Sequence, residues 1–119
     1  MKKILIVEDH ADIRRLIRLT LEFDDYEMRE AEDGASGLAA AALFEPDLVL
    51  LDVMMPGPRN GYDICRILKA QDNPPQVVLL TAKARSEDEA LGLAAGADAY
   101  ITKPFSPLQL AETLETLLK

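Results

Sequence analysis

Cysteine and histidine are nearly absent from this chain of 119 residues, each occurring once. The single cysteine, Cys65, excludes an internal disulfide and fits a reducing cytoplasm. It lies among Ile64, Ile67 and Leu68 at helical spacing with no helper histidine beside it. That reads as a core or half-buried thiol and not as a nucleophile. His10 sits beside two acids, but without a second His or Cys an exposed first-turn residue is the better reading than a metal ligand. No apolar run approaches the ~20 residues of a membrane span. Met1-Lys2-Lys3 leads straight into the first apolar run, with no signal peptide, so a cytoplasmic chain without a membrane role is expected. Basic charge is also in deficit: 13 Lys and Arg against 21 acids leave a net charge of -8. That balance argues against this domain gripping nucleic acid or an anionic membrane by itself. Internal repeats, low-complexity tracts and linkers are all missing. The length fits one domain, and such a domain hides roughly two thirds of its unfolded surface, enough for a core.

What is present is an alternation. Strand-like and helix-like segments alternate five times, which argues an α/β fold with a parallel sheet. Ile4-Leu5-Ile6-Val7, Leu48-Val49-Leu50-Leu51 and Val77-Val78-Leu79-Leu80 are continuously apolar and should be central strands. Tyr26-Glu27-Met28-Arg29-Glu30 alternates, so this second strand should lie at an edge with one face in water. The ranking fits the doubly wound order 2-1-3-4-5. Ile13, Leu16, Ile17 and Leu21 mark the inner stripe of the first helix. The second helix is expected from about Ala35 to Phe44, before Pro46. The third is expected from Asn60-Gly61 to about Ala70, before Asn73-Pro74-Pro75. Capping boxes at Ser86-Glu87-Asp88-Glu89 and Ser106-Pro107-Leu108-Gln109 open the last two helices, the fourth ending at Gly96. Leu110, Leu114, Leu117 and Leu118 should face inward from the fifth.

Each central run ends in a residue with chemistry. Glu8 and Asp9 end the first run, Asp52 the third segment, and Thr81 the fourth. The short segment Ala99-Tyr100-Ile101-Thr102 ends at Lys103-Pro104. In a parallel sheet these tips share one edge, and ligands bind in the crevice outside it. Carboxylates gathered there repel, each pair at ~4 Å by about 1 kcal/mol in water and up to about 4 at an effective dielectric of 20. A cation relieves that repulsion. Oxygen donors select a hard ion, and few protein ligands around an open site favour Mg²⁺ over Ca²⁺. Taken singly, Glu8 or Asp9 could cap the first helix, Thr81 a strand end, and Tyr100 could be an edge aromatic with its hydroxyl in water. Lys103 could be a solvated lysine, or an ammonium paired with a carboxylate or an oxyanion.

The set Glu8-Asp9, Asp52 with Met55-Pro56-Gly57, Thr81-Ala82 and Lys103-Pro104-Phe105 resembles the receiver domain of two-component response regulators. The likeness spans the whole chain, with five separated motifs in order at strand tips. It implies a flavodoxin-like (βα)5 domain over residues 1–119, with any effector domain outside this chain. It implies a signalling phosphoacceptor and not a metabolic enzyme. Asp52 would take a phosphoryl group from the phosphohistidine of a sensor histidine kinase or a histidine phosphotransfer protein. Mg²⁺, or Mn²⁺ in its place, would be held by Asp9, Asp52 and the main-chain carbonyl of Met54, with Glu8 reaching it through water. Lys103, the Thr81 hydroxyl and the Ala82 main-chain N–H would bind phosphoryl oxygens. Thr81 and Tyr100 would form a switch that reshapes the helix 4, strand 5 and helix 5 face for a downstream effector domain or protein. A cis Lys103-Pro104 bond is implied as well. So is slow self-dephosphorylation, since Met54 and Lys83, two residues beyond Asp52 and Thr81, are poor water-orienting groups.

Two features depart from the family pattern. The loop Met54-Met55-Pro56-Gly57-Pro58-Arg59-Asn60-Gly61 is one residue longer than usual. From Ser86 to Lys119 there are six acids and only Lys103 and Lys119 as bases, where receivers of the winged-helix DNA-binding class usually carry arginines. A phosphorylation-independent interaction module is the competing reading, but the complete acceptor set argues against it. A flavin binder would need an N–H-rich loop after the first strand, whereas Glu8-Asp9-His10-Ala11-Asp12 repels phosphate. A phosphohydrolase of the haloacid dehalogenase type would need Asp-x-Asp there.

Overall fold

The computed structural model describes residues 1–55, 57, 59–82 and 86–119, those at 86–89 by backbone alone. Five strands alternate with five helices: β1 (Lys2–Val7), α1 (Ala11–Leu21), β2 (Tyr26–Ala31), α2 (Gly34–Phe44), β3 (Leu48–Asp52), α3 (Gly61–Lys69), β4 (Gln76–Thr81), α4 (Ser86–Ala94), β5 (Ala99–Thr102) and α5 (Pro107–Leu117). All pairings are parallel. The sheet order is β2-β1-β3-β4-β5, as the hydrophobic ranking of the segments predicts. The half-polar β2 takes an edge, because helices cover both faces of the central strands and only an edge strand keeps water on one side.

Alternate residues of each central strand feed two cores. Leu5, Val7, Val49, Leu51, Val77 and Leu79 pack under the α2–α3 side with Tyr62, Ile64, Cys65 and Leu68. Ile4, Ile6, Leu48, Leu50, Val78 and Leu80 pack with Ile17 and Leu21 of α1 and Leu110 and Leu114 of α5. Both faces being dry is what makes these runs continuously apolar. Cys65 is fully buried, and burial pushes its thiol up to about 11, so it behaves as core.

Several local expectations change in detail. Leu16 is 43% exposed and not on the inner stripe. Ile13, Ile17 and Leu21 recur every four residues, and Leu16 falls to one side of that row. Ser106 caps α5 by accepting from the Gln109 N–H, with Pro107 in the first turn; the reciprocal bond of a capping box is not among the described contacts. True capping boxes open α2, from Asp33 with Ser36, and α3, from Asn60 with Asp63. α4 ends at Ala94, and Gly96 follows at φ +89, a left-handed exit that only glycine adopts cheaply. The side chains of the expected box at Ser86-Glu87-Asp88-Glu89, together with Lys83, Pro56 and Pro58, lie outside the described residues.

Candidate functional site

The site is assembled by strand register. β1, β3, β4 and β5 end at the same sheet edge, so Glu8, Asp52, Thr81 and Lys103 emerge as neighbours. The loop after Asp52 is pinned on both sides: Val53 N–H donates to the Leu80 carbonyl at 2.9 Å, and Gly61 N–H donates to the Val53 carbonyl at 2.9 Å. A Cβ on Gly61 would sit 2.4 Å from the Asp52 carbonyl oxygen and 2.6 Å from Val53 Cα. The start of α3 therefore lies directly on the backbone that carries Asp52. On the β1 side, Arg14 of α1 donates from Nη1 to the Glu8 carbonyl at 2.7 Å and pairs through Nε with Glu30 at 3.0 Å. The main chain that presents Glu8 and Asp9 is thus braced by α1 and β2.

Lys103 is the hub. Its ammonium donates to both Glu8 carboxylate oxygens at 3.1 and 2.9 Å, and to Asp52 Oδ1 at 3.2 Å. Glu8 is fully buried and Asp52 is 2% exposed. The Asp52 carboxyl is pushed up to about 6 by burial first and the Glu8 charge second, against the opposing pull of Lys103 and the Met54 N–H. That N–H donates to Asp52 Oδ1 at 3.3 Å. The Lys103 N–H donates to the Thr81 carbonyl at 2.6 Å, which locks the tips of β4 and β5 together. The Lys103-Pro104 bond is cis, as the resemblance implies. Thr81 is buried, Ala82 exposed and Tyr100 half-buried against Gly92 of α4.

The donor set suits a divalent cation. Carboxylate oxygens of Glu8, Asp9 and Asp52 and a ring nitrogen of His10 lie within 4.8 Å of one another. Asp9 Oδ1 is buried and makes no hydrogen bond among the described residues. A buried acceptor without a hydrogen-bond donor is costly, and a bound cation would satisfy it. His10, expected as a bystander, belongs to this group. Its Nδ1 stands 3.0 Å from Glu8 Oε1, in hydrogen-bond geometry, and 3.1 Å from Asp9 Oδ1, a close approach without that geometry. Its pKa is raised above the ordinary value by the Glu8 hydrogen bond first and the Asp9 charge second. Its place beside two acids was the only signal in the sequence; the turn from β1 into α1 folds the ring back on the two residues before it.

Fold and site together define a doubly wound α/β domain with an acidic, lysine-bearing pocket at the C-terminal edge of its sheet. The family pattern for the response regulator receiver domain matches residues 4–115. The DNA-binding response regulator MtrA of Mycolicibacterium paratuberculosis is 41% identical over 118 residues, 99% of this chain and 52% of that protein. The transcriptional regulatory protein ResD of Bacillus subtilis is 42% identical over 117 residues, 98% of this chain and 48% of that protein. Among solved structures, the BeF3-activated N-terminal receiver domain of Klebsiella pneumoniae RstA aligns with a TM-score of 0.91 at 35% identity, covering 98% of both chains. This chain belongs to the response regulator receiver domain family, the signalling domain of two-component systems. It spans about half the length of the curated relatives it matches. Among the described residues no helix is long and apolar enough to cross a membrane.

Proposed function

We propose that this domain accepts a phosphoryl group on Asp52 from the phosphohistidine of a sensor histidine kinase or a histidine phosphotransfer protein. The observation that carries the reading is the buried Asp52 carboxylate 3.2 Å from the Lys103 ammonium, beside an acidic pair of which one buried oxygen accepts no hydrogen bond among the described residues. Asp9, Asp52 and the Met54 carbonyl would hold Mg²⁺, with Glu8 contributing through water. When bound, the ion neutralises charge on the transferring phosphoryl group and on the carboxylates. The chain's own residues do the rest. An Asp52 oxygen attacks phosphorus as the bond from phosphorus to the donor imidazole breaks, leaving an acyl phosphate and a free imidazole. Lys103 leaves its carboxylate partners to bind one phosphoryl oxygen, and the Thr81 hydroxyl and Ala82 N–H bind others. Thr81 drawn toward the phosphoryl group frees space for the Tyr100 ring, and the α4–β5–α5 face changes with it. That face then engages an effector, either a further domain of a longer chain or a separate protein, in the cytoplasm.

The test is phosphorylation from acetyl phosphate with Mg²⁺, read by intact mass. One phosphoryl group should add to the native protein and none to Asp52→Asn. Equal labelling of both would contradict the acceptor assignment. Absence of labelling on either would favour a phosphorylation-independent interaction module.

A further inference from the structure

Lys3, Leu5 and Val7 alternate onto the face of β1 that α2 covers, and the register sets Glu27 and Arg29 on the same face of β2. Because β2 is an edge strand, α2 leaves a groove of about 490 Å³ beside it, walled by Ala40, Leu43 and Phe44 and bordered by Lys3, Glu27 and Arg29. The Phe44 ring carries two cations, Lys3 Nζ at 5.5 Å and Arg29 Cζ at 5.2 Å from its centroid. Lys3 also donates from Nζ to the Phe44 carbonyl at 3.2 Å, so closing the end of α2 accounts for its place. Arg29 has no such task. It is exposed, and among the described residues its guanidinium makes no hydrogen bond or ion pair. A guanidinium held over a ring keeps its N–H donors free and loses less freedom when a carboxylate engages them. The neighbouring surface is apolar: Gly34–Phe44 has no charged side chain, and Leu43 is 89% exposed. Glu30, at the margin of the groove, is matched by Arg14 and Arg18. Two cations therefore face one unmatched acid, Glu27, in a chain of net charge -8. At physiological salt, charges beyond about 8 Å are largely screened, so the local excess decides what enters.

We propose that the groove between α2 and β2 docks a segment of a protein partner in which an acidic side chain stands beside an aliphatic one. The carboxylate meets Arg29 and Lys3, and the aliphatic chain covers Leu43 and Phe44. Leu43 stands outside the groove, so a peptide segment covers more of this apolar surface than a free carboxylic acid does. The surface is separate from Asp52, and its occupancy does not depend on phosphorylation. The test is a titration of nitrogen-15-labelled protein, followed by NMR, with a blocked hexapeptide of alternating leucine and glutamate. The peptide should shift amides of β2 and of the last turn of α2. It should bind at least tenfold more tightly than its leucine–glutamine counterpart and than hexanoate. Arg29→Gln should weaken binding at least tenfold. Arg15→Gln, which removes the same charge from an exposed position on α1, should bind as the native protein does. Both side chains are exposed, so neither change touches the core. Equal loss in the two variants, equal affinity for the glutamine peptide or hexanoate, shifts confined to other surfaces, or no shifts at millimolar peptide would overturn the proposal.

Discussion

Asp52 is held where its charge is expensive. Burial and the Glu8 carboxylate raise its pKa from 3.8 to about 6, and Lys103 offsets only part of that. A carboxyl whose folded pKa lies above its unfolded value lowers folding stability wherever it would be ionised in the unfolded chain. Below pH ~4 both states hold the proton and nothing is lost; between about 4 and 6 only the folded state does, so stability falls as pH rises through that window; above about 6 the loss is complete, on the order of a few kcal/mol. In metal-free buffer at pH 7.5 Asp52→Asn should therefore melt higher than the native protein, with the difference closing toward pH 4. A variant that melts lower at pH 7.5 would mean that Lys103 outweighs burial. The residues at this site were legible in the sequence because each ends a strand-like run. Their pairing was not. That Lys103 bridges Glu8 and Asp52, and that His10 turns back on Glu8, depends on rotamers and on one turn of backbone, which no spacing encodes.

At the scale of elements, the strands were the easiest to read, since a doubly covered parallel strand must be apolar on both faces. The edge position of β2 followed from its alternation. Helix faces were read less well. The period places Ile13, Ile17 and Leu21 inward, but the width of the buried stripe depends on how closely α5 approaches, so Leu16 was assigned inward and stands 43% exposed. The closeness of α3 to β3 was also hidden. It is enforced by Gly61, where a Cβ would meet the Asp52 carbonyl oxygen at 2.4 Å. Backbone cannot give way as a side-chain tip can. Gly61→Ala should cost about 3 kcal/mol in denaturant unfolding and should slow labelling of Asp52. Unchanged stability and labelling would mean that the loop shifts freely and does not position the acceptor.

Across the whole molecule, two consequences follow from charge. Mg²⁺ bound among the acids at the sheet edge should raise the melting temperature by mass action. Asp9→Asn should weaken that response and label more slowly. Indifference of the native protein to millimolar Mg²⁺, with normal labelling of the variant, would contradict the cation assignment. The second consequence concerns assembly. From Ser86 to Lys119 the chain carries six acids and two bases. Asp98 is neutralised by Lys69 at 2.8 Å, and Lys103 is turned into the site at 15% exposure, so negative charge still prevails in this stretch of the sequence. A two-fold interface would bring this face against itself. Leu91, Leu93 and Leu108 are exposed there and favour association, but like charges opposing across the axis work against it. The activated protein should therefore remain monomeric in sedimentation with beryllofluoride and prefer a basic or amphipathic partner. A tight activated dimer abolished by substitutions in α4 or α5 would refute this.

The most direct test of the central claim locates the phosphoryl group chemically. Borohydride reduces an acyl phosphate to an alcohol, turning a phosphorylated aspartate into homoserine. Protein treated with acetyl phosphate and Mg²⁺, then with borohydride, should yield homoserine at position 52 in sequenced peptides and aspartate at position 9. Homoserine at position 9, or phosphate retained on a serine, threonine or histidine after reduction, would contradict the account.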